Sequence, residues 1–142
     1  LERRDAYVRA LYTRGITDVY IEDSWLGRDS GHESAARLLS RAPQVTAIIA
    51  CNDDVAIGVM SAVRDLGQSV PGNVSVVGFD DIDLAKEVQP ALTPVHVHKS
   101  WLGRLAVQRL VERAKYPDQP RITITVATHL VVRESTGPSK GQ

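Results

Sequence analysis

The sequence predicts an α/β lobe: a parallel, Rossmann-like sheet in a three-layer α/β/α arrangement. Three observations carry that reading. Helical and strand-like segments alternate from residue 3 to residue 79, joined by short loops, which is the pattern of a parallel sheet with right-handed crossovers. The segment 45–50 ends in the unbroken apolar run Ile48-Ile49-Ala50, the signature of a buried parallel strand. Two strands end in polar clusters, Asn52-Asp53-Asp54 and Asp80-Asp81. The carboxyl ends of neighbouring parallel strands line one crevice, and ligands bind there.

Each element follows from its residues. Residues 3–14 place Tyr7, Ala10 and Leu11 in helical order, with Gly15 as a C-cap. Val19-Tyr20-Ile21 reads as a short strand, and the loop 22–30 holds Trp25 and Gly27. A helix over 31–41 turns Ala35, Leu38 and Leu39 inward and stops before Pro43. The helix 54–66 puts Val55, Val59, Val63 and Leu66 on one face; Asn52 or Asp53 caps its start and Gly67 its end. Val74, Val76, Val77 and Phe79 form the next strand. The pattern then changes. Residues 84–94 contain Pro90 and Pro94 and read as a connector. Val95 and Val97 alternate with His96 and His98 as a strand, and Ser100 caps a helix over 101–115 that buries Leu102, Leu105, Ala106 and Leu110. Pro117 and Pro120 mark a second connector, and the β-branched run 122–133 reads as one long strand or two short ones. Ser135–Gln142 is small and polar and reads as a flexible tail. Two connectors around one strand–helix unit describe a chain that leaves one lobe, visits another and returns.

The bulk numbers limit the function classes. A chain of 142 residues suffices for one domain, and 43% hydrophobic content supports a core. Lys+Arg and Asp+Glu are both 17, so the basic excess of a nucleic-acid binder is missing from this stretch. The one cysteine, Cys51, rules out an internal disulfide and fits a reducing compartment. No run is long and apolar enough to span a bilayer. The chain opens in helical sequence without a leading strand or signal peptide, as a fragment would.

Trp25, Asn52 and Asp80 each follow a predicted strand and should meet at one sheet edge. An indole face, an amide and a carboxylate suit a polyhydroxylated small molecule. The competing reading is local: Asn52, Asp53, Asp80 and Asp81 cap turns or helices, and Trp25 anchors its loop. A hard-cation site built on Asp53, Asp54, Asp80, Asp81 and Asp83 lacks EF-hand spacing, and adjacent Asp80 and Asp81 point apart in an extended chain. His96 and His98 share a strand face as zinc ligands do, but no further Cys or His cluster in the sequence completes that site. Neither metal nor cofactor is therefore expected. Catalysis is not expected either: no G-x-S-x-G elbow, P-loop or G-x-G-x-x-G is present, and Cys51 has no adjacent base.

Several motifs, in order, resemble the LacI/GalR family of bacterial transcription regulators. They are Ala50-Cys51-Asn52-Asp53 with Ala56 and Gly58; Gly67 and Val70-Pro71; Val74 through Asp81; Pro90, Leu92-Thr93, Leu102-Gly103; and Leu130 through Thr136. The resemblance covers nearly the whole chain and implies the C-terminal part of an effector-binding domain of type I periplasmic-binding-protein fold. It implies residues 1–92 as most of the C-terminal subdomain, 93–122 as a strand–helix unit of the N-terminal subdomain, 123–134 as the return, and 135–142 as tail. It implies that the first strand of the C-terminal subdomain and most of the N-terminal one lie outside this sequence. Arg3, Trp25, Asn52 and Asp80 match the family's ligand-facing positions, and Lys99 falls near another. The implied partners are a small-molecule effector, a sugar or sugar derivative, and a second copy in a cytoplasmic homodimer, with helix 54–66 and residues 84–89 in its interface. Operator DNA is the third partner, through an N-terminal helix-turn-helix headpiece absent from this chain. The alternative with the same fold is a solute-binding protein of a sugar ABC transporter.

Overall fold

A computed structural model describes residues 2–138. The elements are α1 (Glu2–Tyr12), α2 (Arg28–Arg41), β1 (Ala47–Ile49), α3 (Asp53–Asp65), β2 (Ser75–Asp80), the single turn α4 (Leu84–Glu87), β3 (Thr93–His96), α5 (Lys99–Lys115) and β4 (His129–Leu130). The sheet runs β1-β2-β3-β4. β1, β2 and β3 are parallel and β4 is antiparallel to β3. The parallel α/β architecture expected from the alternation is present.

The core lies between α3 and one sheet face. Ala56, Val59, Met60 and Val63 of α3 meet Val74 and Val76, and Leu92 and Ala85 close the cluster. Alternation within β2 explains the sidedness: Val76 and Gly78 are buried while Val77 and Phe79 on the other face are half-buried. α1 reaches that second face, with the Arg3 guanidinium over the Phe79 ring at 4.4 Å.

α2 packs on α3 with backbone nearly touching backbone. A Cβ on Gly58 would lie 2.0 Å from the Arg28 carbonyl oxygen, and one on Gly31 would lie 2.3 Å from that of Val55. Only glycine lets the two helices approach this closely. Gly58 is therefore as much a part of the packing as the valines around it.

Several expectations need correction. Val19-Tyr20-Ile21 is not a strand, because no described strand pairs with it; the Val19 amide donates to Thr17 O. The run 122–133 contributes only His129–Leu130 as a strand, with the Val131 amide continuing the pairing to Pro94 O at 2.9 Å; β propensity alone does not make the whole run a strand. Thr93–His96 pairs with β2 in the same sheet as β1. α5 begins at Lys99 with His98 as its N-cap residue, so Ser100 is inside the helix. It buries none of its residues, and Leu110 is 71% exposed, because no described element packs against its apolar side. Ser135 is not loose. That residue is fully buried, its hydroxyl donates to Val76 O at 2.6 Å, and it accepts from the Thr93 amide at 2.8 Å. Gly137 N donates to Ser75 Oγ. Leu1 and residues 139–142 lie outside the described residues.

The two helical glycines with opposite surroundings make a test. Gly58→Ala should destabilise the chain by about 1–3 kcal/mol through overpacking. Gly103→Ala in α5, where a Cβ meets nothing within 4 Å, should stabilise by up to about 1 kcal/mol through helix propensity. Urea denaturation midpoints distinguish the two outcomes.

Candidate functional site

Three strands end at one edge, and the predicted residues can be followed there one by one. Asn52 sits between β1 and α3 with extended backbone, and its Oδ1 accepts from the Val55 amide at 2.9 Å. The local capping role is thus real for Asn52 and uses its carbonyl oxygen. Asp53 does something else. It is 1% exposed, its Oδ2 accepts from the Ile82 amide at 2.8 Å, and its Oδ1 has no hydrogen-bond partner among the described residues. It fastens the start of α3 to the turn that follows β2. Gly78 leaves room for it: a Cβ there would lie 2.2 Å from Asp53 Oδ1.

That turn bends sharply. Asp80 and Asp81 have φ of 111° and 57°, a region that Asp enters more readily than most residues. The bend separates their roles. Asp81 points into the protein, where its Oδ1 accepts from Arg133 Nη2 at 2.5 Å and its Oδ2 lies 2.8 Å from His96 Nδ1. Neither Asp81 nor Asp53 is a cap. Asp80 caps nothing either, and no described residue hydrogen-bonds its carboxylate; its backbone oxygen accepts from Lys99 Nζ.

Arg3 ties two strand ends together. Its Nη1 donates to Cys51 O at 2.7 Å while its guanidinium covers Phe79, and these residues immediately precede Asn52 and Asp80. Lys99, at the first turn of α5, reaches the carbonyls of both Asp80 and Asp81. Arg3, Asn52, Asp80 and Lys99 are therefore gathered at the carboxyl ends of β1, β2 and β3. Trp25 is not drawn into that group. It is 87% exposed and borders a separate open concavity of about 480 Å³ with Asp23, Ser24, Ser30, Glu33 and Arg37. Its backbone amide donates to Ser30 Oγ at 2.8 Å, which fixes the loop before α2.

The electrostatics follow the geometry. Burial pushes the Asp53 carboxyl up, the Ile82 and Asp81 amides pull it back, and the Asp80 and Asp81 charges push it up again, leaving it raised. Burial also opposes ionisation of Asp81, but hydrogen bonds from Arg133 and His96, with their charges, leave its carboxyl below the ordinary value. Arg133 carries no local signal in the sequence, because its partners Asp81, Leu92 and Thr93 lie forty or more residues away.

In parallel α/β folds the carboxyl ends of the strands are where ligands bind, and here the Asp80 carboxylate at that edge accepts no hydrogen bond from any described residue. The profile of the periplasmic binding protein-like domain matches residues 1–136. The chain belongs to that family, in the form that LacI-type transcriptional regulators carry as their effector-binding domain. It is 34% identical over 139 residues to the HTH-type transcriptional repressor PurR of Mannheimia succiniciproducens, covering 94% of this chain and 41% of that repressor. It resembles the transcriptional regulator CelR in complex with cellobiose, with TM-score 0.87 and 33% identity, over 94% of this chain and 42% of that one. It also resembles a LacI family regulator from Enterococcus faecium with bound ribose, with TM-score 0.89 and 26% identity, over 97% and 52%. The chain thus spans less than half of the repressor's length.

The lowered Asp81 carboxyl gives a pH prediction. Its contribution is complete above the unfolded value of about 3.9 and is lost as pH falls through the lower folded value. Asp53 works in the opposite direction, costing stability as pH rises through its raised value. Asp81→Asn should therefore flatten the acid limb of stability, read as a smaller drop in urea midpoint between about pH 6 and about pH 3 than the parent shows. An unchanged acid limb contradicts the Asp81 assignment.

Proposed function

We propose that this chain is the effector-sensing part of a LacI-type repressor, and that it binds a sugar or sugar derivative at the carboxyl ends of β1, β2 and β3. The observation that carries the reading is Asp80. A strained backbone holds its carboxylate at the sheet edge, where no described group hydrogen-bonds it, next to Asn52, Arg3 and Lys99. A carboxylate accepts two sugar hydroxyls, the Asn52 amide nitrogen donates, and the Arg3 fork and Lys99 ammonium supply donors for ring or exocyclic oxygens. Trp25 stacks on the apolar face of the ring once its loop moves toward the strand ends.

A sugar is favoured because CelR and the Enterococcus faecium regulator hold cellobiose and ribose. The exposed apolar side of α5, with Trp101, Val107, Leu110 and Val111, supports assigning residues 97–122 to a second lobe that closes over the ligand. Regulation then follows from differential affinity: the effector shifts a dimer between operator-binding and released states only as far as it prefers one of them. DNA contact falls to a headpiece outside this sequence, since this stretch carries equal numbers of acidic and basic residues. The regulator acts in the cytoplasm and performs no catalysis. No described helix is long and apolar enough to cross a membrane. The transporter solute-binding alternative is disfavoured, because PurR, the ribose operon repressor and CelR are transcriptional regulators.

A thermal-shift screen of sugars on the protein identifies the effector. Asp80→Asn, which keeps the side-chain shape at a positive φ, should then weaken its binding about 10- to 100-fold by titration calorimetry, with an unchanged circular dichroism spectrum. Unchanged affinity contradicts this site.

A further inference from the structure

The sequence offers His96 and His98 as an incomplete metal pair. The fold supplies a third imidazole. β4 runs antiparallel to β3 and sets His129 directly opposite His96. The three rings form a compact triangle, with centroid separations of 4.8 Å for His96–His98, 5.0 Å for His96–His129 and 5.4 Å for His98–His129. We propose that His96, His98 and His129 are a binding site for a divalent transition metal ion of the zinc class.

Three features support it. The first is size. With metal–nitrogen bonds of about 2.0–2.1 Å and tetrahedral angles, the centroids of two imidazoles on one ion lie about 5.2 Å apart, inside the range of the three observed separations. The second is orientation. His96 Nδ1 lies 2.8 Å from Asp81 Oδ2, the carboxylate–imidazole contact that orients the ring and leaves the other ring nitrogen as the ligand. Asp81 is itself held by Arg133, so the His96 ring has a fixed support. The third is adjustability. As the side chains stand, no three His, Cys, Asp or Glu among the described residues form a group that could hold a metal ion, so binding requires the rings of His98 and His129, both exposed, to turn.

The surrounding charge is mixed. Arg133 and Lys99 oppose a dication, whereas Asp80 and Asp81 favour it. Three neutral imidazoles are borderline-soft ligands that suit zinc, cobalt, nickel or copper and not magnesium or calcium. The location gives the site a consequence. His96 ends β3 and His98 precedes α5, while His129 begins the returning strand. A metal here staples the outgoing and returning chains together next to Asp80, whether or not the effector is a sugar.

The test is cobalt(II) titration of the intact protein, watching the visible d–d bands of a low-coordinate site, with zinc as competitor. The proposal expects one cobalt per chain, displaced by zinc. His98→Gln and His129→Gln should each weaken binding at least about tenfold. His32→Gln, which removes the remaining histidine of the four far along the chain and paired with Asp65, should leave binding unchanged. Absence of the bands in the folded parent overturns the proposal. So do bands that survive both His98→Gln and His129→Gln, or that vanish with His32→Gln. Loss of sugar binding in Asp80→Asn with retained cobalt bands separates this site from the effector site.

Discussion

The ion pair between Asp81 and Arg133 is the constraint on which the carboxyl edge of the sheet depends. Both side chains are mostly withdrawn from water, 9% and 14% exposed, so salt and solvent screen the pair little. Arg133 also donates to Leu92 O at 2.9 Å, and its amide donates to Thr93 Oγ1 at 2.9 Å. One residue near the end of the chain thereby holds the turn after β2 and the start of β3. Removing either partner leaves a buried charge unpaired, a loss of about 3–5 kcal/mol in comparable cases. Ser135 and Thr136 extend the same clasp to β2 and β3.

The clasp explains how a strained turn persists at the candidate site. Two successive aspartates with positive φ cost free energy that only surrounding contacts offset. Asp81 is held from one side by Arg133 and His96. The Ile82 amide is held from the other by Asp53, whose burial is itself unfavourable to its charge. Asp80, between these fastenings, is left with an unengaged carboxylate at the sheet edge. A turn satisfied by capping alone would have used that carboxylate locally. Pre-organisation of this kind lowers the ordering cost of binding.

The helices of the packed body and the strand-end rule were legible in the sequence because they rest on local periodicity and composition. α2 and α3 show apolar spacing, caps and glycines within one segment, and the polar clusters after β1 and β2 lie beside the strands they follow. What escaped depends on partners distant in the chain. Val19–Ile21 and most of 122–133 have strand composition, yet a strand exists only where another chain segment accepts its hydrogen bonds. α5 has an apolar side, yet burial needs an opposing surface. Arg133, Ser135 and His129 carry no local signal at all. Their roles arise from meeting Asp81, Thr93 and His96 some forty residues or more away in most cases. Resemblance to a family marked Leu130–Thr136 as distinctive, and the structure gives the physical reason.

If Asp81 and Arg133 act as one unit to hold the strand-end turn, a double-mutant cycle on folding stability with Asp81→Asn, Arg133→Gln and both together, at neutral pH, should give a coupling energy of about 1–3 kcal/mol, the second substitution costing much less after the first. Additive effects, with coupling near zero, would show that the two side chains act independently.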